Sequence, residues 1–272
     1  MTTAVVVDET TTTPVTTRPR AAARPIPLTR LVAVELRKMF DTRSGFWLMA
    51  SIVITSVLAT AALIAFADDA ELTYDNFAAA IGAPMTIILP MIGILAVTSE
   101  WTQRSGLTTF TLVPRRGRVL GAKLLSAVTV GVVSMLVAVV VGAVGTLVGS
   151  AVTGLDPVWN SSPGEFVHIV LASVLLMLLG FTLGVLIRNS AGAIVAYFVY
   201  TLALPPLLGL LASYQEWFRD LQPWVDFQFA QTPLYNGALS TAQWQHLGTA
   251  SVLWLVLPLT VGLVLVRRAE VK

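Results

Sequence analysis

Residues 124–150 read LLSAVTVGVVSMLVAVVVGAVGTLVGS, 27 positions without a single Asp, Glu, Lys or Arg. About 20 mainly apolar residues, rising ~1.5 Å each, cross the hydrocarbon core of a bilayer. Five more stretches meet that requirement and are equally free of charge: Phe46–Ala67, Ile81–Ser99, Val167–Ile187, Ala191–Ala212 and Gly248–Val266. The fold expected is therefore an all-α membrane protein with six transmembrane helices. Composition agrees: 56% of the 272 residues are hydrophobic and 12% charged, with a mean hydropathy of +0.79, whereas soluble domains run near a quarter charged. The charge deficit separates the classes better than the apolar excess.

Immediately before that run lies the polar stretch Glu100–Lys123, EWTQRSGLTTFTLVPRRGRVLGAK, with five cations against one carboxylate. The whole chain follows its sign. Segments 1–45, 100–123, 188–190 and 267–272 hold sixteen of the seventeen Lys and Arg; segments 68–80, 151–166 and 213–247 hold only Arg219, with nine of the fifteen carboxylates. By the positive-inside rule both termini face the cytoplasm. The same rule accounts for the pI of about 9.1 without invoking nucleic acid.

Residues 1–25 are rich in Thr, Pro, Ala and Arg and lack the apolar core of a secretory signal; a disordered cytoplasmic tail is expected, followed by one membrane domain over 26–272. Within Leu28–Arg43, the residues Leu28, Leu31, Val32, Leu36, Met39 and Phe40 share one helical face, with Arg30, Arg37 and Lys38 opposite. This predicts an amphipathic helix lying along the cytoplasmic interface, as a plain anchor or as an element that also touches a partner. Glu35 falls inside the apolar stripe, an expensive place unless a cation reaches it.

The outer connections differ in character. Residues 68–80 carry Asp68, Asp69, Glu71 and Asp75, read as a solvated acidic loop, and 151–166 is turn-rich. Arg188-Asn189-Ser190 alone separates the fourth and fifth spans and predicts a tight helical hairpin. Gly145/Gly149 and Gly180/Gly184 permit close helix approach, within the chain or between chains. Pro205-Pro206 is expected to break or bend the fifth span. The aromatic-rich segment 213–247 fits either short helices dipping into the outer leaflet or a folded extracellular cap.

Several chemistries have no basis in these residues. There is no cysteine for disulfide, thiol or thiolate-metal chemistry. No P-loop, G-x-S-x-G or H-E-x-x-H occurs, His168 and His246 are far apart in sequence, and no carboxylate lies inside a span. Proton-coupled carriers commonly bury such a group at mid-membrane. Energy for any transport must then come largely from outside the chain.

Glu100 and Arg104 have the favourable acid-first i, i+4 order. Beyond them Leu107, Phe110, Leu112 and Val113 are apolar within a basic loop, the pattern of a contact surface, and Gly106 and Pro114 bound a helix of about two turns. Six spans, a basic amphipathic helix before the first, and the sequence from Ser99-Glu100-Trp101-Thr102-Gln103-Arg104 through Phe110 and Pro114-Arg115-Arg116-Gly117-Arg118 resemble the permease subunits of type-2 ABC transporters, actinobacterial exporters in particular, as does Pro233-Leu234-Tyr235-Asn236-Gly237-Ala238-Leu239. The resemblance covers about residues 28–268.

It implies a multi-pass protein of the bacterial plasma membrane that is not itself an enzyme. It also implies a cytoplasmic coupling helix between spans two and three, seated on a separate ATPase subunit that holds ATP and Mg, and a second permease copy, expected as a homodimer. The residues implied in coupling are Glu100, Arg104, Leu107, Thr108, Thr109, Phe110, Leu112, Pro114, Arg115 and Arg116, with Glu35, Arg37 and Lys38 on the interface helix; Arg37 or Lys38 would pair with Glu100. The alternative is a membrane protein that tethers or regulates an ATPase without moving a substrate. Uncharged spans favour an amphipathic or lipid-like cargo over a small ion.

Overall fold

A computed structural model describes residues 26–102 and 116–268. The described residues form helices and short connections with no strand; one isolated bridge joins Thr73 to Val158. Six helical runs are long and apolar enough to cross a membrane.

The first helix, α1 (Leu28–Asp41), ends at Thr42, whose extended backbone stops it. The Thr42 hydroxyl then accepts the Gly45 amide at 3.2 Å and so caps α2 (Arg43–Phe66). The corner is so tight that a Cβ on Gly45 would lie 1.9 Å from the Met39 carbonyl oxygen. Only glycine fits there. After a 3-10 turn at Asp69–Glu71 come α3 (Tyr74–Thr102) and α4 (Arg116–Thr153). With 38 residues, α4 is about 57 Å long at 1.5 Å per residue, nearly twice the apolar thickness of a bilayer.

α5 (Pro163–Ile187) opens with a capping box in which Ser162 and Glu165 satisfy each other's amides, and closes at Arg188 in the left-handed conformation. Asn189 at once caps α6 (Ser190–Phe198), accepting the Gly192 amide at 2.9 Å. The fifth span then runs through a π-helical turn, Val199–Ala203, into α7 (Leu204–Tyr214). Pro205-Pro206 therefore does not break the span. The wider turn carries the chain past the two missing amide donors, and the Leu204 amide reaches back to the Val199 carbonyl. The sixth span repeats the device: α10 (Thr241–Ser251), a π turn at Val252–Val256, and α11 (Leu257–Arg268), with Pro258 just after the turn. Between these spans lie α8 (Glu216–Val225), α9 (Phe227–Gln231) and a 3-10 turn at Thr232–Tyr235. They fold onto α10 and α5 as a cap.

The bundle is built on the pair α3/α5, its most extensive contact. Glycines set their separation. A Cβ on Gly180 would stand 2.4 Å from the Pro90 carbonyl oxygen, and one on Gly93 would stand 2.5 Å from that of Met177. Gly145 and Gly149 are likewise used inside the chain, against Phe77. Two apolar cores flank the pair. One joins α2, α3, α4 and α5 around Met85, Leu89 and Met177; the other joins α3, α5 and α6 to the cap around Tyr197, Phe227 and Leu234. Pro90 leaves the Thr86 carbonyl without its usual amide donor, and the Tyr197 hydroxyl of α6 supplies one.

Candidate functional site

The constellation that stands out lies at the end of the bundle shared by α1, the start of α4 and the α5–α6 turn. Glu35 is the one buried residue of α1. Its Oε1 accepts a hydrogen bond from Lys38 Nζ at 2.7 Å and its Oε2 one from Lys123 Nζ at 2.6 Å. The Glu35 and Lys123 side chains are 9% and 4% exposed, while Lys38 is 44% exposed. A buried carboxylate held by a buried ammonium is not a net source of stability, but removing one partner strands the other charge. Glu35 thus ties α1 to the root of α4 across 88 positions of sequence.

Two more bonds tie the same elements. Ser126 Oγ in α4 donates to the Val32 carbonyl at 3.2 Å, and an Arg118 guanidinium nitrogen donates to the Ile26 carbonyl at 2.6 Å. On the same end, the Ser190 hydroxyl donates to Thr98 Oγ1 at 2.8 Å and joins the start of α6 to α3. α1 is therefore fastened to the bundle by side chains as well as by its apolar stripe, whose Leu36 and Met39 pack on the first core.

The sequence-derived candidates fall into two groups. Among the interface-helix residues, Glu35 and Lys38 meet directly, and Arg37 turns to Asp41 at 3.3 Å, both of these side chains well exposed. Arg104, Leu107, Thr108, Thr109, Phe110, Leu112, Pro114 and Arg115 lie outside the described residues, as do the tail 1–25 and the side chains of Glu100 and Arg116. The coupling helix and the pairing of Glu100 with Arg37 or Lys38 fall in that part. The residue the sequence did not single out is Lys123. It stands directly before the longest apolar run and reads there as an orientation charge; the signal that could have found it is the unpartnered Glu35 in an apolar stripe.

The opposite end is organised by aromatics. Tyr74 packs against Trp159 and Phe166 at ring separations of 5.6 and 5.2 Å. The Asp75 amide donates to Asn160 Oδ1 at 3.0 Å, and Ser161 donates to the Asp75 carboxylate. His168 and His246 rest on Trp244 and Trp224, which gives both an aromatic setting.

The family model described as ABC-2 family transporter protein matches residues 31–214. That match takes in α1 from Leu31 onward, the first five spans, and Glu35 with both of its lysine partners. No curated protein matches the chain.

Proposed function

Because this chain belongs to the ABC-2 family of transporter proteins, the permease subunits of ABC transporters, we propose that it works as the membrane half of an ATP-driven exporter of the actinobacterial kind. In this reading it sits in the bacterial plasma membrane with both termini cytoplasmic, pairs with a second copy of itself, and docks through Leu107 to Arg116 on a separate ATPase chain that binds ATP and Mg. The cargo class is amphipathic or lipid-like, in keeping with central apolar stretches of the spans that hold no Asp, Glu, Lys or Arg.

One observation carries the coupling part of the reading: α1 is joined by the buried Glu35–Lys123 pair to the first turns of α4, the helix into which residues 103–115 lead. A push on that connector reaches α1 and α4 together. The two elements behave as one lever, and a rigid lever is what converts closure of an ATPase pair into rocking of membrane helices.

The test is to co-express the chain with a candidate ATPase and measure cargo-stimulated ATP hydrolysis in proteoliposomes. Phe110→Asp and Arg116→Glu, both in or at the connector, are expected to abolish stimulation and transport while membrane insertion stays normal. Full transport in either variant would overturn the docking assignment.

A further inference from the structure

Two spans contain a π-helical turn, and the two turns are related. Val199–Ala203 precedes Pro205-Pro206 in the fifth span and Val252–Val256 precedes Pro258 in the sixth. In each, the residue before the proline donates its amide five positions back, Leu204 to Val199 and Leu257 to Val252. The prolines cannot donate to the carbonyls four residues earlier, those of Thr201, Leu202 and Trp254. Each span is therefore short of main-chain hydrogen bonds at one level, where bending costs least.

The two weak points also face each other. Tyr200 of the first turn and Trp254 of the second are in edge-to-face contact at 5.0 Å. Trp254 Nε1 donates to the Val225 carbonyl at 2.8 Å. Val225 is the last residue of α8, so its carbonyl is one that α8 cannot satisfy itself. Tyr200 lies in electrostatic reach of Asp226, the next residue, which caps α9 by accepting the Gln228 and Phe229 amides. The Tyr200 hydroxyl is buried beside the Gln228 backbone. Both turns thus present an aromatic side chain to the same Val225–Asp226 corner of the cap.

Everything between the turns, residues 204–251, is one continuous piece of chain: α7, the cap and α10. It is packed on itself through α7 with α8, and through α8 and α9 with α10. Its anchorage on the remaining bundle includes Leu234 and Phe227 in the second core.

We propose that the paired π turns are hinges on which residues 204–251 swing as a single outer lid, with Trp254 holding the closed position through Val225. Tyr200 and Trp254 are then positioning residues of the lid, distinct from the lever at the other end of the molecule. Opening separates Val225 from the indole and lifts the cap off α5, while the halves of both spans on the α1 side, α6 and α11, stay in the bundle.

The chain has no cysteine, so label pairs can be introduced without first removing any. A spin-label pair at Leu221 on the cap and Val152 at the end of α4, both exposed, reports lid position in the full chain in nanodiscs; a pair at Leu221 and Gln245 reports the inside of the lid. Trp254→Phe keeps the ring and removes the N–H. It is expected to broaden the Leu221–Val152 distance distribution toward longer separations and to leave the Leu221–Gln245 distribution unchanged. Pro258→Ala restores an amide donor and is expected to narrow the first distribution in otherwise unaltered protein. The proposal is overturned if Trp254→Phe leaves the first distribution as it was, or if both distributions broaden together, which is local unfolding. It is overturned equally if Pro258→Ala has no effect. None of these readouts needs nucleotide or an ATPase, so they fail or succeed independently of the docking assignment.

Discussion

At the scale of single residues, the buried charge at Glu35 is the decisive case. Lys123→Ala leaves a carboxylate in a nearly dry site with, among the described residues, the half-exposed Lys38 as its remaining cation, and a loss of about 3–5 kcal/mol is expected from stranding a buried partner. Replacing both members, Glu35→Leu with Lys123→Met, should recover most of that loss, because the apolar pair removes both desolvation costs. Thermal unfolding in detergent, followed by the fluorescence of the seven tryptophans, distinguishes the two. If the double variant is as unstable as the single one, the charge account is wrong. The need for a cation near Glu35 is legible in the sequence from the helical stripe alone. Its identity is not, since 88 positions separate the partners and nothing local in Lys123 distinguishes it from the neighbouring orientation charges. Tyr197 is a parallel example: Pro90 announces a free carbonyl at Thr86, but only the packed bundle shows which hydroxyl meets it. Tyr197→Phe is expected to cost about 1 kcal/mol, the usual net value of such a bond, measured in the same melt.

At the scale of helices, hydropathy finds the spans but misplaces their ends. α3 starts at Tyr74 and not at residue 81, α4 at Arg116 and not at residue 124, and the last span begins at Thr241 with its own capping box. Apolar content marks where lipid begins, whereas helical hydrogen bonding continues through polar turns until a cap or a proline stops it. The small-residue pairs behave similarly. Their capacity for close approach is written in Gly180 and Gly184, but the surface they approach, the backbone of α3 at Pro90 and Ile94, depends on the fold. Gly180→Ala should therefore lower the melting temperature markedly, because the new methyl group meets backbone that cannot step aside. Gly82→Ala, with nothing within 4 Å of an added Cβ, should be neutral or slightly stabilising through better helix propensity. Equal effects from the two would remove steric fit as the reason for the α3/α5 contact. Pro205-Pro206 shows the limit of local rules: the sequence says that the helix cannot continue in its ordinary form, and a wider turn is how it continues.

At the scale of the whole molecule, the six spans form two apolar cores on either side of α3/α5, with polar constellations at the two ends. α2 and the fifth span bury little of their own surface, and Val53, Val57, Leu202 and Leu207 lie open on them. α1 is held differently from a helix that floats on headgroups. It is bonded to α4, and α4, at 38 residues, is longer than any bilayer requires.

With α1 bonded to α4, the expected outcome is that protein and not lipid sets its height. In bilayers of graded acyl-chain length, a surface-anchored helix follows the headgroups as thickness changes, whereas a helix bolted to a rod keeps its distance from the rod's far end. A probe pair at Leu28 and Val152 should report the same separation in thin and in thick membranes. The lipid would have to deform around the protein, and mismatch would be absorbed at the rim of the bundle without altering the shelf on which α1 rests.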